Sequence, residues 1–277
     1  MPEIPSELNT SIFIKPFLRW AGGKAWFLSH LPSFLPKKFN NYHEIFLGGG
    51  SVFFNLECTG NIYLSDLNGE LIETYIQVRD NVELVISQLK QYKNTKEDYY
   101  KIRAKKFSKE HQIAARFIYL NKTSFNGIYR VNLIGEYNVP YGSKYSADYV
   151  QEEILREASK KLKKAILKEQ DFEKALNKAK KGDLVFIDPP YTVAHENNGF
   201  IRYNQKLFSL DDQIRLSNKL RELNKLGVYY IVTNAYHKEI KNIYRDVGDF
   251  TTLSRRSSIG GKFAIRKDVK EYVIRNF

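Results

Sequence analysis

The chain has 277 residues, 43% of them hydrophobic and 14% aromatic, which is enough for a full core and excludes an intrinsically disordered protein. A formal charge of +13 with an isoelectric point near 9.5 attracts polyanions, and nucleic acid is the expected partner. A membrane protein or a secreted one is not expected, since no apolar run approaches spanning length and residues 1–9 lack the basic start and apolar centre of a signal peptide.

A cytoplasmic location is therefore expected. The single cysteine, Cys58, excludes an internal disulfide and a cysteine-based zinc cluster, and no metal site is expected. Cys58 ends an apolar helix and is assigned to the core.

The first informative stretch runs Phe17, Leu18, Arg19, Trp20, Ala21, Gly22, Gly23, Lys24 into an amphipathic run through Leu31. It is not a phosphate-binding P-loop, because Leu18 stands where that motif needs its first glycine and Ala25 replaces its Ser or Thr. The glycines instead let the backbone approach a ligand or a neighbouring element. Residues 42–46 predict a strand. Leu47, Gly48, Gly49, Gly50 and Ser51 turn it into a helix near Val52, with Phe53, Phe54 and Leu56 on its buried face. Strand, glycine turn and helix are how open α/β sheets hold nucleotide-like ligands. Phe53 stands where a dinucleotide fold wants glycine, which disfavours a nicotinamide or flavin cofactor. Residues 62–65 predict a second strand with Asp66 at its tip. That carboxylate either accepts the hydroxyls of a ribose or caps the helix from Gly69, and the residues alone leave both open.

From Glu70 to about Asn121 the apolar spacing is helical. The following stretch contains Phe125, Asn126, Ile128, Arg130 and Asn132. It returns through Tyr137, Val139, Pro140 and Tyr141 in what resembles a β-hairpin around residues 133–136. Its amides, aromatics and cations are side chains that read base edges and wedge between base steps, and they equally suit a structural hairpin with a solvated basic face. Residues 152–162 predict a helix, 165–168 a third strand, and Asp171 with Phe172 opens a helix to Ala179.

Residues 184–187, Leu-Val-Phe-Ile, predict a fourth strand that ends in Asp188, Pro189, Pro190 and Tyr191. Two prolines fix φ and withhold their N–H groups, so the strand stops in a stiff loop. A carboxylate, a backbone carbonyl that no following amide ties up and an aromatic ring suit a flat molecule bearing an exocyclic amine. Beyond lie a polar loop over residues 192–205, with Phe200 and Tyr203 available to close over a site, and an amphipathic helix over 211–226. A buried fifth strand over 228–232 and a terminal strand over 272–274 complete the sheet. Between these two strands, Arg255, Arg256, Ser257, Ser258, Gly260, Gly261 and Lys262 read as a basic, glycine-bearing loop suited to phosphates.

Gly50 and Asp188 lie further apart than three crossover units require, so residues 69–150 read as an inserted domain. The expected fold is α/β: a Rossmann-like sheet built from residues 1–68 and 151–277, with a mostly helical insertion carrying a β-hairpin.

This ordered set resembles the Dam-like N6-adenine DNA methyltransferases, in which the cofactor motif precedes the target-recognition domain and an Asp-Pro-Pro-Tyr motif follows it. The likeness runs from Phe17 nearly to the C-terminus. It rests on residues 20–24, on Phe46 with Gly48 and Gly50, and on Asp66 with Asn68. Asn126, Gly127, Tyr129, Arg130 and Asn132 continue it through Asn138, Val139 and Pro140, and Asp171 with Phe172 and residues 188–191 complete it. Ile45 departs from it, standing where the family commonly has proline, and residues 259–266 are only loosely similar.

The resemblance implies S-adenosylmethionine as cofactor, a catalytic domain over residues 1–68 and 151–277, and a DNA-binding target-recognition domain over 69–150. Trp20, Lys24, Phe46, Gly48, Gly50, Asp66, Asp171, Phe172 and Asp188 would line the cofactor site, with Asp66 on the ribose and Phe172 on the adenine ring. Asp188 and the Pro189 carbonyl would accept the amine protons of a flipped-out adenine stacked on Tyr191. Arg130 would read guanine with Arg19 as a second base contact, Ile128 and Pro140 would meet a thymine methyl, and Phe125 would wedge beside Asn126, as in members that recognise GATC. Asn132 falls in the same reading segment. The resemblance leaves open whether the chain is solitary or paired with a restriction endonuclease of the same site.

The same acceptors would serve an N4-cytosine or RNA amino-methyltransferase, which is the runner-up. A DNA-binding protein on an inactive methyltransferase fold is disfavoured by the presence of Asp66, Asp188 and Tyr191.

Overall fold

The computed structural model describes residues 14–132, 134–143, 148–192, 208–256 and 268–277. The described residues form one seven-stranded sheet. Its strands are β1 (Tyr42–Glu44), β2 (Ile62–Asp66), β3 (Ala165–Glu169), β4 (Leu184–Ile187), β5 (Tyr229–Ala235), β6 (Asp249–Arg256) and β7 (Asp268–Arg275). Their order across the sheet is β3-β2-β1-β4-β5-β7-β6. β3 through β5 are parallel, and β7 runs antiparallel to both β5 and β6. The chain leaves β1 toward β2 on one side and later enters β4 on the other. The crevice at the carboxyl ends of β1 and β4 is thus the topological switch point, where open α/β sheets place their ligands.

Side chains of β4 alternate between two buried clusters, as the period of a strand requires. Leu184 and Phe186 join a cluster with Phe27, Phe53, Leu64 and Tyr75, while Val185 and Ile187 join one with Leu216, Leu220, Tyr230 and Tyr244. Burial on both faces explains the continuous apolar run of a central parallel strand.

Helices α1 (Leu31–Phe34) and α2 (Ser51–Asn55) flank β1 in sequence. Between β2 and β3 lie α3 (Gly69–Asp80), α4 (Val82–Lys90), α5 (Lys96–Ala104), α6 (Glu110–Thr123) and α7 (Glu152–Leu162). Then come α8 (Phe172–Leu176), α9 (Leu210–Leu226) and α10 (Lys238–Ile243). The first apolar cluster continues without a break into the helices between β2 and β3 through Val85, Leu89, Tyr99 and Tyr119. α9 opens on a capping box between Ser209 and Asp212, and it ends at Gly227 in the left-handed region.

Four expectations are corrected or narrowed. Arg255 belongs to β6, an edge strand the sequence reading took as loop, and its guanidinium turns inward instead of offering itself to phosphate. α10 is a further helix that the sequence reading did not assign. Cys58 lies beyond the end of α2 and is half-buried, packed against the first cluster from outside. The segment predicted as a hairpin is joined by isolated bridges, Val131 to Tyr137 and Ser124 to Tyr141. Phe200, Tyr203 and residues 257–262 lie outside the described residues.

Candidate active site

Asp188 stands at the tip of β4, followed by the two prolines that end the strand. Its Oδ1 lies 2.8 Å from Lys24 Nζ and accepts a hydrogen bond from the Thr233 hydroxyl of β5, also at 2.8 Å. Lys24 opens the short 3-10 turn Lys24–Ser29 and donates to the Gly22 carbonyl at 2.9 Å. The side chains are 4% exposed for Lys24 and 20% for Asp188, so the pair is shielded from most of the bulk water. Burial raises the Asp188 carboxyl above its ordinary range against the pull of Lys24, and Glu271 pushes it further up.

Glu271 of β7 is a site residue that sequence reasoning missed. It is 1% exposed, its Oε2 accepts from the Tyr191 hydroxyl and lies 3.7 Å from Lys24 Nζ, and its Oε1 accepts from Arg255 Nε. Lys24 Nζ also sits 4.9 Å from the centre of the Tyr191 ring. Burial drives the Tyr191 hydroxyl well above its ordinary value, and Asp188 and Glu271 add to this, so it stays protonated and donates to Glu271. No described residue donates to the Pro189 carbonyl, whose own chain neighbour Pro190 has no N–H to block it. A lone glutamate beside Tyr272, Val273 and Ile274 was the signal available for Glu271, since a charge entering a doubly buried strand needs a partner.

The turn after β1 is built around Trp20. Gly48 and Gly50 both have left-handed φ, +48° and +65°. A Cβ at Gly48 would meet the Trp20 indole at 2.6 Å, and one at Gly50 would meet the Tyr75 hydroxyl at 3.1 Å. Tyr75 of α3 donates to the Gly48 carbonyl at 3.0 Å, so α3 pins this turn. Asp66, half-buried at the tip of β2, accepts from Gly48 N and Asn68 N, each at 3.0 Å. Burial raises its carboxyl above the ordinary value, with the two amides pulling it down. Asn68, not Asp66, supplies the side-chain cap of α3. Asp171 caps α8 through Glu173 N and meets Arg215 at 3.4 Å. Phe172 is buried against Phe46 and Phe208, with the Arg215 guanidinium 4.8 Å above its ring.

The candidate base-reading residues gather beside Trp20. The Asn121 amide clamps the backbone of Arg19 from both sides, accepting from its N–H and donating to its carbonyl, each at 2.8 Å. A Cβ at Gly127 would meet Arg19 Cδ at 2.5 Å, so the turn at Asn126 and Gly127 lies directly on Arg19. Tyr129 stacks on Trp20 at 5.7 Å. Phe125 is 53% exposed, and Asn126, Arg130 and Pro140 are exposed around it, with Ile128 half-exposed. Arg130 donates from Nε to Asn138 at 2.8 Å, which fixes the guanidinium and leaves its outer edge to solvent. Asn132 spends its side-chain oxygen on the amides of Ile134 and Glu136, holding the turn.

A family model described as D12 class N6 adenine-specific DNA methyltransferase matches residues 20–259, which contain every part of this site but Arg19 and Glu271. The chain belongs to that family. The enzyme is 34% identical over 279 residues to the Type II methyltransferase M1.LlaDCHI of Lactococcus lactis subsp. cremoris, covering 97% of this chain and 98% of that protein. It is 34% identical over 287 residues to the Type II methyltransferase M.MjaIII of Methanocaldococcus jannaschii, covering 95% and 99%. To the DNA adenine methylase of Haemophilus influenzae it is 31% identical over 268 residues, covering 94% and 92%.

The chain is an adenine-specific DNA methyltransferase on an α/β, Rossmann-like sheet. Membership answers the runner-up readings in favour of N6 of adenine. Among the described residues, no helix is long and apolar enough to cross a membrane. Burial raises the Cys58 thiol above its ordinary value, which disfavours it as a nucleophile.

Proposed function

We propose that the enzyme transfers the methyl group of S-adenosylmethionine to N6 of an adenine flipped out of duplex DNA, within the sequence GATC. The observation that carries this reading is the acceptor pair at the tip of β4: Asp188 with Lys24 and Thr233 fixing its oxygen, and the Pro189 carbonyl beside it.

The chain's residues fit the cofactor. Asp66 keeps lone pairs beyond those bonded to Gly48 and Asn68, as a ribose requires, and Phe46 with Phe172 gives an apolar wall for a purine. Trp20 borders the turn at Gly48, Lys24 reaches Asp188, and Asp171 stands beside Phe172. When bound, S-adenosylmethionine supplies an electrophilic methyl on a sulfonium.

The N6 lone pair of adenine is delocalised into its ring and attacks poorly. Asp188 and the Pro189 carbonyl favour the tetrahedral nitrogen of the transition state by accepting its two protons in fixed directions. The methyl would leave sulfur for N6, and Asp188 would take the surplus N6 proton and pass it to solvent. Tyr191 offers a ring for the extrahelical base, worth about 1 to 3 kcal/mol against the cost of unstacking.

Residues 69–150 act as the target-recognition domain and residues 1–68 with 151–277 as the catalytic domain. In this reading Arg130 and Arg19 contact guanines, Ile128 and Pro140 meet a thymine methyl, Phe125 and Asn126 fill the gap left by the flipped base, and Asn132 shapes the reading turn. A restriction endonuclease cutting the same site would be the functional partner in a restriction-modification pair.

The test is methylation of duplexes that carry GATC or single-base changes of it, followed by nucleoside mass spectrometry and mapping of the modified base. N6-methyladenine confined to GATC supports the proposal. Methylation of adenine in another sequence overturns the GATC assignment, and a product other than N6-methyladenine overturns the chemistry.

A further inference from the structure

Lys24 Nζ is hydrogen-bonded to Asp188 Oδ1 at 2.8 Å and lies 4.9 Å from the Tyr191 ring centre. The ammonium is thus within reach of both the acceptor oxygen and the ring on which a target base would stack. A target amine that docks on this same oxygen displaces the contact. A buried ammonium released without a partner is strongly unfavourable. The Gly22 carbonyl remains bonded to it at 2.9 Å, and Glu271 Oε2 waits 3.7 Å away. A shift of about 1 Å brings that carboxylate into charge-assisted hydrogen-bond range.

Glu271 is placed for this by register, opposite Ala235 of β5 and Leu253 of β6. At 1% exposure it is charge-balanced by Arg255 and fixed by the Tyr191 hydroxyl. The titratable groups facing Asp188 are Lys24 from the turn before α1, Glu271 from β7, and Tyr191 from its own loop. Arg255 of β6 pairs with Glu271, and Glu44 of β1 is raised by the Asp188 charge.

We propose that Glu271 is a positioning residue for methyl transfer: it anchors the Tyr191 ring and holds the Lys24 ammonium when the target amine takes its place on Asp188. This rests on the assignment of the amine to Asp188.

Glu271→Gln keeps an acceptor for Tyr191 while removing the charge, and Tyr191→Phe removes only the anchored hydroxyl. Single-turnover methylation, KM for S-adenosylmethionine and for duplex DNA, the fluorescence of 2-aminopurine at the target position, and the pH profile of the rate are measured. Glu271→Gln should lower the rate about tenfold to a hundredfold, with both KM values within about threefold of wild type. The acid limb should move to lower pH, because the like charge beside Asp188 is gone. In a Lys24→Met background the same substitution should have little further effect. Tyr191→Phe should lower the rate and change the 2-aminopurine signal, an outcome that does not depend on Glu271→Gln folding.

A wild-type rate in Glu271→Gln, or a slower rate with an unmoved acid limb, overturns the proposal, as does a wild-type rate and signal in Tyr191→Phe. Asp188→Asn separates the two readings. If it stays active the assignment of the amine fails; if it is inactive while Glu271→Gln runs at the wild-type rate, only the role of Glu271 fails.

Discussion

Lys24 and Asp188 pair across the switch point of the sheet, nitrogen to oxygen at 2.8 Å, with the cation supplied from before β1 and the anion from the tip of β4. The pair joins the two halves of the site. It also sets a pH dependence. Burial raises Asp188 above the ordinary 3.8 and Lys24 lowers it, while the acceptor role needs the ionised form. Activity should therefore fall with decreasing pH through the raised value. Lys24→Met should move that acid limb to higher pH in a rate profile; a limb that stays or moves down would contradict the pairing.

Gly48→Ala tests the turn. Left-handed backbone costs a residue with a Cβ about 1 to 2 kcal/mol, and the new methyl would also stand 2.6 Å from Trp20. Lower thermal stability and weaker S-adenosylmethionine binding by titration calorimetry are expected. Tyr129, stacked on the same indole, should transmit part of the loss to duplex binding.

Much of this was legible in the sequence because apolar runs of distinct period specify buried strands and helices. Residues 184–187 read as a strand from four strand-favouring apolar residues, and the prolines after Asp188 marked its end. Glu271 and Thr233 were not legible as partners of Tyr191 and Asp188, since their roles arise from pairing of strands distant in sequence. β6 escaped for a related reason. It is an edge strand with an exposed face and an Arg pair at its end, so its local pattern reads as loop until β7 supplies the ladder. The ammonium of Lys24 was expected along the cofactor pocket, and the side chain's reach onto Asp188 followed only from the folded turn.

Glu44, 3% exposed, accepts from the Tyr42 hydroxyl at 2.6 Å and from Phe53 N at 2.9 Å, and burial pushes its carboxyl from 4.5 to about 8. Between those values the folded chain keeps a proton that the unfolded chain has lost, so this group's contribution to stability declines as pH rises and is constant above. Glu44→Gln has no such proton to lose. Its stability relative to wild type should rise from pH 5 to pH 8 by on the order of 4 kcal/mol, read from urea unfolding at the two pH values. A difference that does not change with pH would contradict the raised carboxyl.

Arg130→Ala should relax the requirement at one guanine by about 1 to 3 kcal/mol, while a nearby phosphate contact would weaken all sequences equally. Competition between GATC and single-base variants in a methylation assay distinguishes the two. Unchanged discrimination at every position would remove Arg130 from base reading.

The central claim is that Asp188 accepts the protons of the amine that becomes methylated. Its most direct test is Asp188→Ala, with N6-methyladenine in treated duplex DNA quantified by mass spectrometry and S-adenosylmethionine affinity measured on the same preparation. The account predicts no detectable methyl transfer with cofactor affinity within a few fold of wild type; substantial residual methylation would contradict it.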